Sequence, residues 1–308
     1  MTRLPGFSLH LAGIVLAVLL SGCAAPVASL PDCQAGEVIC VGFVTDVGGL
    51  QDYGLNEQTW KTLQDARADG IVIDVIESVE VRDYRKNIAY FANLDYDLII
   101  TSGYDLAKIT LVMADEYPNL SFLMLGQAPP EEEAPPNLAG VIFPEEQAGF
   151  LAGSFAASFS ETGIVGAVFA HPEIPSVAAY ARGFEAGAQG AQVEMVYHED
   201  EDFASSLDAP TWGADQAFFL EQAGADVLFA YGGQTAISAL EQTRGRVIGV
   251  EVDLARRFPY FQHQVIASIV FDLSVLKEIV PEGQVSQPLY EAGYQVIWGD
   301  IPTPEVGE

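Results

Sequence analysis

The fold is read from residues 38–75, VICVGFVTDVGGLQDYGLNEQTWKTLQDARADGIVIDV. An apolar run (38–44) leads into a glycine-containing turn. An amphipathic stretch (55–68) follows, then a second apolar run (71–75). Short, continuously apolar, β-branched runs are what strands buried on both faces require. Two such strands separated by a helix-length segment pair in parallel through a right-handed crossover.

The same unit recurs along the chain. Strands are expected at 38–44, 71–75, 98–101, 122–125 and 141–143, then at 164–169, 192–196, 227–230, 247–250 and 265–270. Helices are expected at 55–68, 81–93 and 106–117, the last stopped by Pro118 and Asn119. Five more are expected at 146–159, 176–189, 213–223, 235–243 and 271–280. About ten strands are many for one small sheet, and the pattern restarts near residue 146. The expectation is therefore α/β, with two doubly wound parallel-sheet lobes. The segment QAPPEEEAPP (127–136) reads as a stiff acidic surface loop.

Composition limits the partners. The chain has 308 residues, 50% hydrophobic and 18% charged, so it can bury a real core. Lys and Arg total 13 against 43 Asp and Glu, a formal charge of −30. Phosphate binding needs clustered cations, so no nucleic acid partner is expected. Attraction to anionic lipid is disfavoured for the same reason.

The N-terminus reads as an address. Arg3 precedes an apolar run (9–20) that is too short for a comfortable membrane span but fits a signal-peptide core. It ends Leu20-Ser21-Gly22-Cys23, which resembles a lipobox. Residues 1–22 are then a lipoprotein signal peptide, Cys23 the lipidated residue, and 23–36 a tether. The alternative is an ordinary signal peptide with a chance cysteine. The body is expected on the extracytoplasmic face of the cell membrane, held there by lipid alone. Export permits a disulfide, and Cys33 and Cys40 are read as a bridge rather than two free thiols.

Ligands of open parallel sheets sit beyond the carboxyl ends of the strands. The first strand delivers Asp46, Gly48, Gly49, Gly54 and Asn56. Glycine lets backbone N–H groups approach a ligand closely; Asp46 either meets that ligand or caps its own turn. Other strand ends carry Tyr104, Gln127, His171, Gly232, Glu251 and Asp253. Acids, amides and aromatics together suit a flat, neutral, hydroxylated ligand. The histidines are His10, His171, His198 and His263, and no zincin, nucleophile-elbow or Cys–His pattern accompanies them. No catalytic set, metal or cofactor is assigned.

Residues 41–60, VGFVTDVGGLQDYGLNEQTW, resemble the opening signature of the basic membrane protein family. These are lipoprotein substrate-binding components of ABC importers, several of which bind purine nucleosides. The resemblance continues in order through SGYDLAKITLVMADEYPNLSFLML (102–125), LAGVIFPEEQAGFLAGSFAASFSETGIVGAVFA (138–170), YARGFEAGA (180–188), GADVLFAYGG (224–233) and VIGVEVD (247–253). It implies a type I periplasmic-binding-protein architecture, two lobes joined by three crossings. Lobe 1 would hold 37–143 plus 271–308 and lobe 2 would hold 144–270. It further implies a small nucleoside-like ligand, an ABC permease as partner, a monomer, and no enzymatic activity. Asp46 matches a ligand-binding aspartate of the family, and Asn56 a retained asparagine. Leu55 stands where the family has a stacking Phe, Gln127 near a usual Asp, Glu251 for an Asp that binds ribose hydroxyls, and Phe271 for a Lys. The second stacking ring would be Phe203 or Trp212. The tail after Asp300 is shorter than is usual in the family. Rival readings are an exported enzyme on the same scaffold and a sensory lipoprotein.

Overall fold

A computed structural model describes Cys33 and residues 38–130, 132, 134–199 and 203–300; the side chains of residues 203 and 204 are not described. The lipobox with Cys23 lies outside the described residues. The first half runs β1 (Ile39–Val44), α1 (Leu55–Asp65), β2 (Ile71–Ile76), α2 (Tyr84–Asn93), β3 (Leu98–Ser102), α3 (Ala107–Glu116), β4 (Ser121–Leu125) and β5 (Leu138–Ile142). The second runs α4 (Glu145–Phe159), β6 (Ile164–Phe169), α5 (Pro175–Gly187), β7 (Gln192–Tyr197), α6 (Phe203–Leu207), α7 (Pro210–Gln222), β8 (Val227–Tyr231), α8 (Gly233–Gln242), β9 (Arg246–Val250), α9 (Leu254–Arg257) and β10 (Val265–Asp272). The chain ends with α10 (Leu276–Ile279), β11 (Leu289–Glu291) and β12 (Gly293–Trp298).

These strands form two six-stranded sheets, ordered β11-β5-β4-β3-β1-β2 and β12-β10-β9-β8-β6-β7. All pairings are parallel except β10 with β12. Each sheet reverses its winding at one strand, β1 in the first and β6 in the second. Each switch opens a crevice at the carboxyl end of that strand.

Strand alternation builds the cores. Along β1, Val41 and Phe43 enter the layer with Leu63 of α1, while Cys40 and Val44 face Tyr84, Ile88 and Phe91 of α2. In the second sheet, Val165, Ala167 and Phe169 meet α4 and α5, and Val168 meets α7 and α8. Cys33 and Cys40 are joined by a disulfide, with Cα atoms 5.8 Å apart.

Helices α4 and α5 pack backbone to backbone. A Cβ at Gly153 would lie 2.1 Å from the Phe184 carbonyl oxygen, and one at Gly183 2.1 Å from that of Glu146. Only glycine tolerates this approach. It is how Tyr180 of α5 is brought over the sheet.

Two expectations for the tail are corrected. A helix over 271–280 does not form: β10 continues through Asp272 because β12 pairs with it to that residue, beyond the end of its ladder with β9 at Ile269. Helix then spans only α10 and a 3-10 turn, Val280–Glu282, that begins where Pro281 removes a donor. Nor does all of 271–308 belong to lobe 1. Leu273, Leu276, Ile279 and Ala292 pack in the first lobe's core, but Gly293–Trp298 forms the antiparallel edge of the second sheet. The chain thus passes between sheets three times: after β5, after β10 and between β11 and β12.

Candidate functional site

On the first lobe, the loop after β1 folds around two carboxylates. Asp46 Oδ1 accepts the Gly48 N–H at 2.9 Å and the Asn56 Nδ2–H at 2.8 Å. Asn56 is 2% exposed, and its Oδ1 accepts from the Ser102 hydroxyl at the end of β3. The other side of Asp46 faces Gly103: a Cβ there would be 2.5 Å from Oδ2, and its φ of +103° also favours glycine. Among the described residues, the hydrogen bonds to the Asp46 carboxylate both end on Oδ1, while its backbone carbonyl accepts from the Thr45 hydroxyl and the Gly49 N–H. The capping reading of Asp46 is therefore real at one oxygen.

Asp52 does the structural work in this loop. It accepts the backbone N–H groups of Gly54 (2.9 Å), Asn56 (2.9 Å) and Glu57 (3.0 Å), donors that the first turn of α1 leaves unpaired. Burial raises its carboxyl pKa; these three N–H groups oppose that shift, and the nearby Asp46 charge adds to it.

On the second lobe, Glu251 follows β9 with φ +64°, an uncommon backbone for a non-glycine residue. The residue as a whole is half-buried, but its carboxylate turns inward. Oε1 accepts from the Tyr180 hydroxyl at 3.0 Å, and the Tyr231 phenol lies beside the carboxylate. The Tyr180 and Tyr294 hydroxyls are 2.6 Å apart. Burial pushes the Glu251 pKa up to about 7, the two phenols oppose this, and the Glu145 charge adds to it. Phe143, Phe271 and Tyr294 stack beside this cluster, Phe143 to Phe271 at 4.3 Å between ring centres and Phe271 to Tyr294 at 5.6 Å. They come from the three inter-sheet crossings, so the buried carboxyl sits where the lobes are joined. A cavity of about 380 Å³ opens at the ends of β8 and β9, lined in part by Tyr231, Gly232, Gln234, Ile237, Glu251 and Arg257.

The structure thus joins Asp46, Gly48 and Asn56 in one network and Gly232 with Glu251 in one cavity. Tyr104 is 78% exposed on a 3-10 turn after β3, and Gln127 is half-buried after β4. Asp253 caps α9 through the Arg256 N–H at 3.2 Å, and its own N–H points to the Tyr53 carbonyl of the other lobe at 3.4 Å. Trp212 is half-buried and packs on the second lobe's core, its ring centre 4.6 Å from that of His198. Phe203 begins α6, but its side chain lies outside the described residues. Sequence reasoning missed Asp52, Glu145, Tyr180 and Tyr294. Of these only Asp52 lay inside the loop already singled out.

Two sheets of the same winding, joined at their strand ends by three crossings, define a two-lobed α/β architecture. The chain belongs to the family described as ABC transporter substrate-binding protein PnrA-like, which matches residues 39–300. This is a family of solute-binding components rather than enzymes. The chain is 27% identical to Basic membrane protein D of Borreliella burgdorferi over 231 residues, 73% of this chain and 66% of that protein. It is 25% identical to an uncharacterized lipoprotein of Pyrococcus horikoshii over 269 residues, 82% of this chain and 65% of that protein. It therefore spans slightly less than two thirds of the length of either relative. The fold is similar to that of an ABC transporter solute-binding protein from Conexibacter woesei (TM-score 0.66, 23% identity, 87% of this chain and 92% of that one).

Proposed function

We propose that this chain is the receptor of an ABC importer, anchored by lipid at Cys23 outside the cytoplasm, that closes its lobes over a purine nucleoside or a similar small polar ligand. The observation that carries this reading is a carboxylate after a strand of each sheet, Asp46 after β1 and Glu251 after β9, in a chain of this family. An ionised carboxylate accepts from hydroxyl and ring N–H donors, and such charge-assisted bonds contribute roughly 1.5–3 kcal/mol. Asp46, Gly48, Asn56, Tyr104 and Gln127 would contact the ligand from lobe 1. Phe203, Trp212, Gly232, Glu251 and Asp253 would do so from lobe 2, the rings stacking on the base. Closure is stabilised by ligand because only the closed state touches it from both sides. The permease then takes the ligand from the closed receptor, a monomer.

Titration calorimetry with adenosine, guanosine, inosine, free bases and free sugars tests the reading. The expected result is saturable nucleoside binding, weakened about ten- to a hundredfold in Asp46→Ala at an unchanged melting temperature, at about 1.4 kcal/mol per tenfold. Binding of sugars but no nucleoside would overturn the ligand class. Unchanged nucleoside affinity in the variant would remove Asp46 from the site.

A further inference from the structure

We infer that Arg256 is a positioning residue that clasps the two lobes together across their cleft, through Glu57 and Tyr53, without ligand. Arg256 belongs to α9 of the second lobe and Glu57 to the first turn of α1 in the first. They are 199 residues apart in sequence, and the Arg256 Nη1 donates to Glu57 Oε1. The Arg256 guanidinium also lies 5.5 Å from the centre of the Tyr53 ring. The Asp253 N–H reaches the Tyr53 carbonyl at 3.4 Å. Three contacts thus tie the short helix after β9 to Tyr53 in the loop and to the first turn of α1, which also carries Asn56, the residue that holds Asp46.

The two ends of the clasp are unequal. The Glu57 side chain is 11% exposed and Arg256 50%. Burial alone would raise the Glu57 pKa, but Lys61, at 2.9 Å, and Arg256 together hold it below the usual carboxylate range. Glu57 therefore presents a fixed charge at the lobe boundary. Arg256 meets it through Nη1 while its guanidinium carbon lies over the Tyr53 ring, a pair of contacts that Lys reproduces only in part. Tyr53 (φ +57°) and Glu251 (φ +64°) are two of the three non-glycine residues with positive φ among the described residues, and both flank this contact. Such strain persists where surrounding structure over-determines it.

A hinge equilibrium is set by small differences, so a single cross-lobe clasp shifts it measurably. The inference stands apart from the ligand's identity, because its test uses ligand-free protein. Small-angle neutron scattering of the full chain in contrast-matched detergent reads the radius of gyration of the wild type, Arg256→Ala, Glu57→Gln and Tyr53→Ala. The expected result is a larger radius in all three at an unchanged melting temperature. It corresponds to a closed-to-open ratio about fivefold lower, or ~1 kcal/mol at 1.4 kcal/mol per tenfold. Arg256→Lys should recover part of the shift. The Arg256→Ala, Glu57→Gln double variant should open no further than Arg256→Ala alone, as expected when Glu57 acts through Arg256. Superimposable scattering curves would overturn the clasp. So would a lowered melting temperature with unchanged scattering, which marks a merely structural brace, or opening in Arg256→Ala that neither Glu57→Gln nor Tyr53→Ala reproduces.

Discussion

The two lobes share a strand order but build their inner walls by opposite means. The first lobe uses one short loop: Asp46, Asp52 and Asn56 lie within eleven residues, held by amide donors from that loop. The second gathers Glu145, Tyr180, Tyr231, Glu251 and Tyr294 from five separate elements or turns around one buried carboxyl. The first wall therefore depends on local hydrogen bonding. The second depends on tertiary packing that delivers distant phenols to one point. The helices differ in the same sense: α1, α2 and α3 contain no glycine, whereas α4 and α5 touch through Gly149, Gly153, Gly183 and Gly187.

The largest expected effect breaks the second wall at its helix contact. In Gly183→Leu, the new side chain must displace backbone, since even a Cβ would sit 2.1 Å from the Glu146 carbonyl oxygen and 2.8 Å from the Phe150 nitrogen. Overpacking costs typically about 1–3 kcal/mol, and rigid backbone on the far side puts this substitution at the upper end. Hydrogen exchange followed by mass spectrometry should show faster exchange in α4, α5 and the Tyr180 segment. Peptides from α1 to α3 should be unchanged. Uniform acceleration in both lobes would mean that the walls are not independently built.

The second effect depends on pH. Burial raises the Glu251 pKa to about 7, above the ordinary value near 4.5 that it regains on unfolding. The folded chain thus binds this proton more tightly than the unfolded one. Its stabilising contribution is complete below about pH 4.5, falls as pH rises towards 7, and is flat above. The loss approaches about 3 kcal/mol, at about 1.4 kcal/mol for each tenfold change in proton affinity. Glu251→Gln keeps an oxygen for Tyr180 and has no proton to lose. Its melting temperature should fall less than the wild type's between pH 4.5 and 7.5. Parallel pH profiles for the two proteins would show that the carboxyl is solvated in the folded state.

This contrast also explains what the sequence disclosed. The succession of strands along the chain follows from apolar runs, and ten strands could be read because hydrophobic burial wrote them; their order within each sheet could not. The edges were harder. β11 has three residues, and β12 (GYQVIW) is half-exposed and follows β11 without a helix, so neither periodicity nor strand–helix alternation marked them. Asp46 and Asn56 were legible because a local turn needs its polar residues close in sequence. Tyr180 looked like any apolar position on a helix, and Tyr294 sat in a tail expected to stay in the first lobe. Their meeting at Glu251 is a product of the crossings, and local pattern carries no record of it. Arg256 and Glu57 escaped for the same reason.

The smallest effect sharpens the account of the first wall. Asp52 serves three N–H groups and carries a charge that burial disfavours. These two roles separate in a pair of substitutions. Asp52→Ala removes every acceptor and leaves the N–H groups of Gly54, Asn56 and Glu57 without that partner; loss of such a helix cap costs about 0.5–2 kcal/mol. Asp52→Asn keeps one carbonyl oxygen and discards the charge next to Asp46, so the lost hydrogen bonding is offset by relief of desolvation and repulsion. The raised pKa sets the sign: wild-type Asp52 is most favourable when protonated, so the advantage of Asn grows as pH rises above the ordinary aspartate range. Chemical denaturation at pH 7 should place Asp52→Ala below the wild type by about 1 kcal/mol and Asp52→Asn within a few tenths of it. Because Asp52 holds the Asn56 N–H, and Asn56 holds Asp46, the Ala variant should also speed exchange of the Gly48 amide. An Asn variant as unstable as the Ala variant would show that the carboxylate's charge, rather than its oxygens, holds the loop.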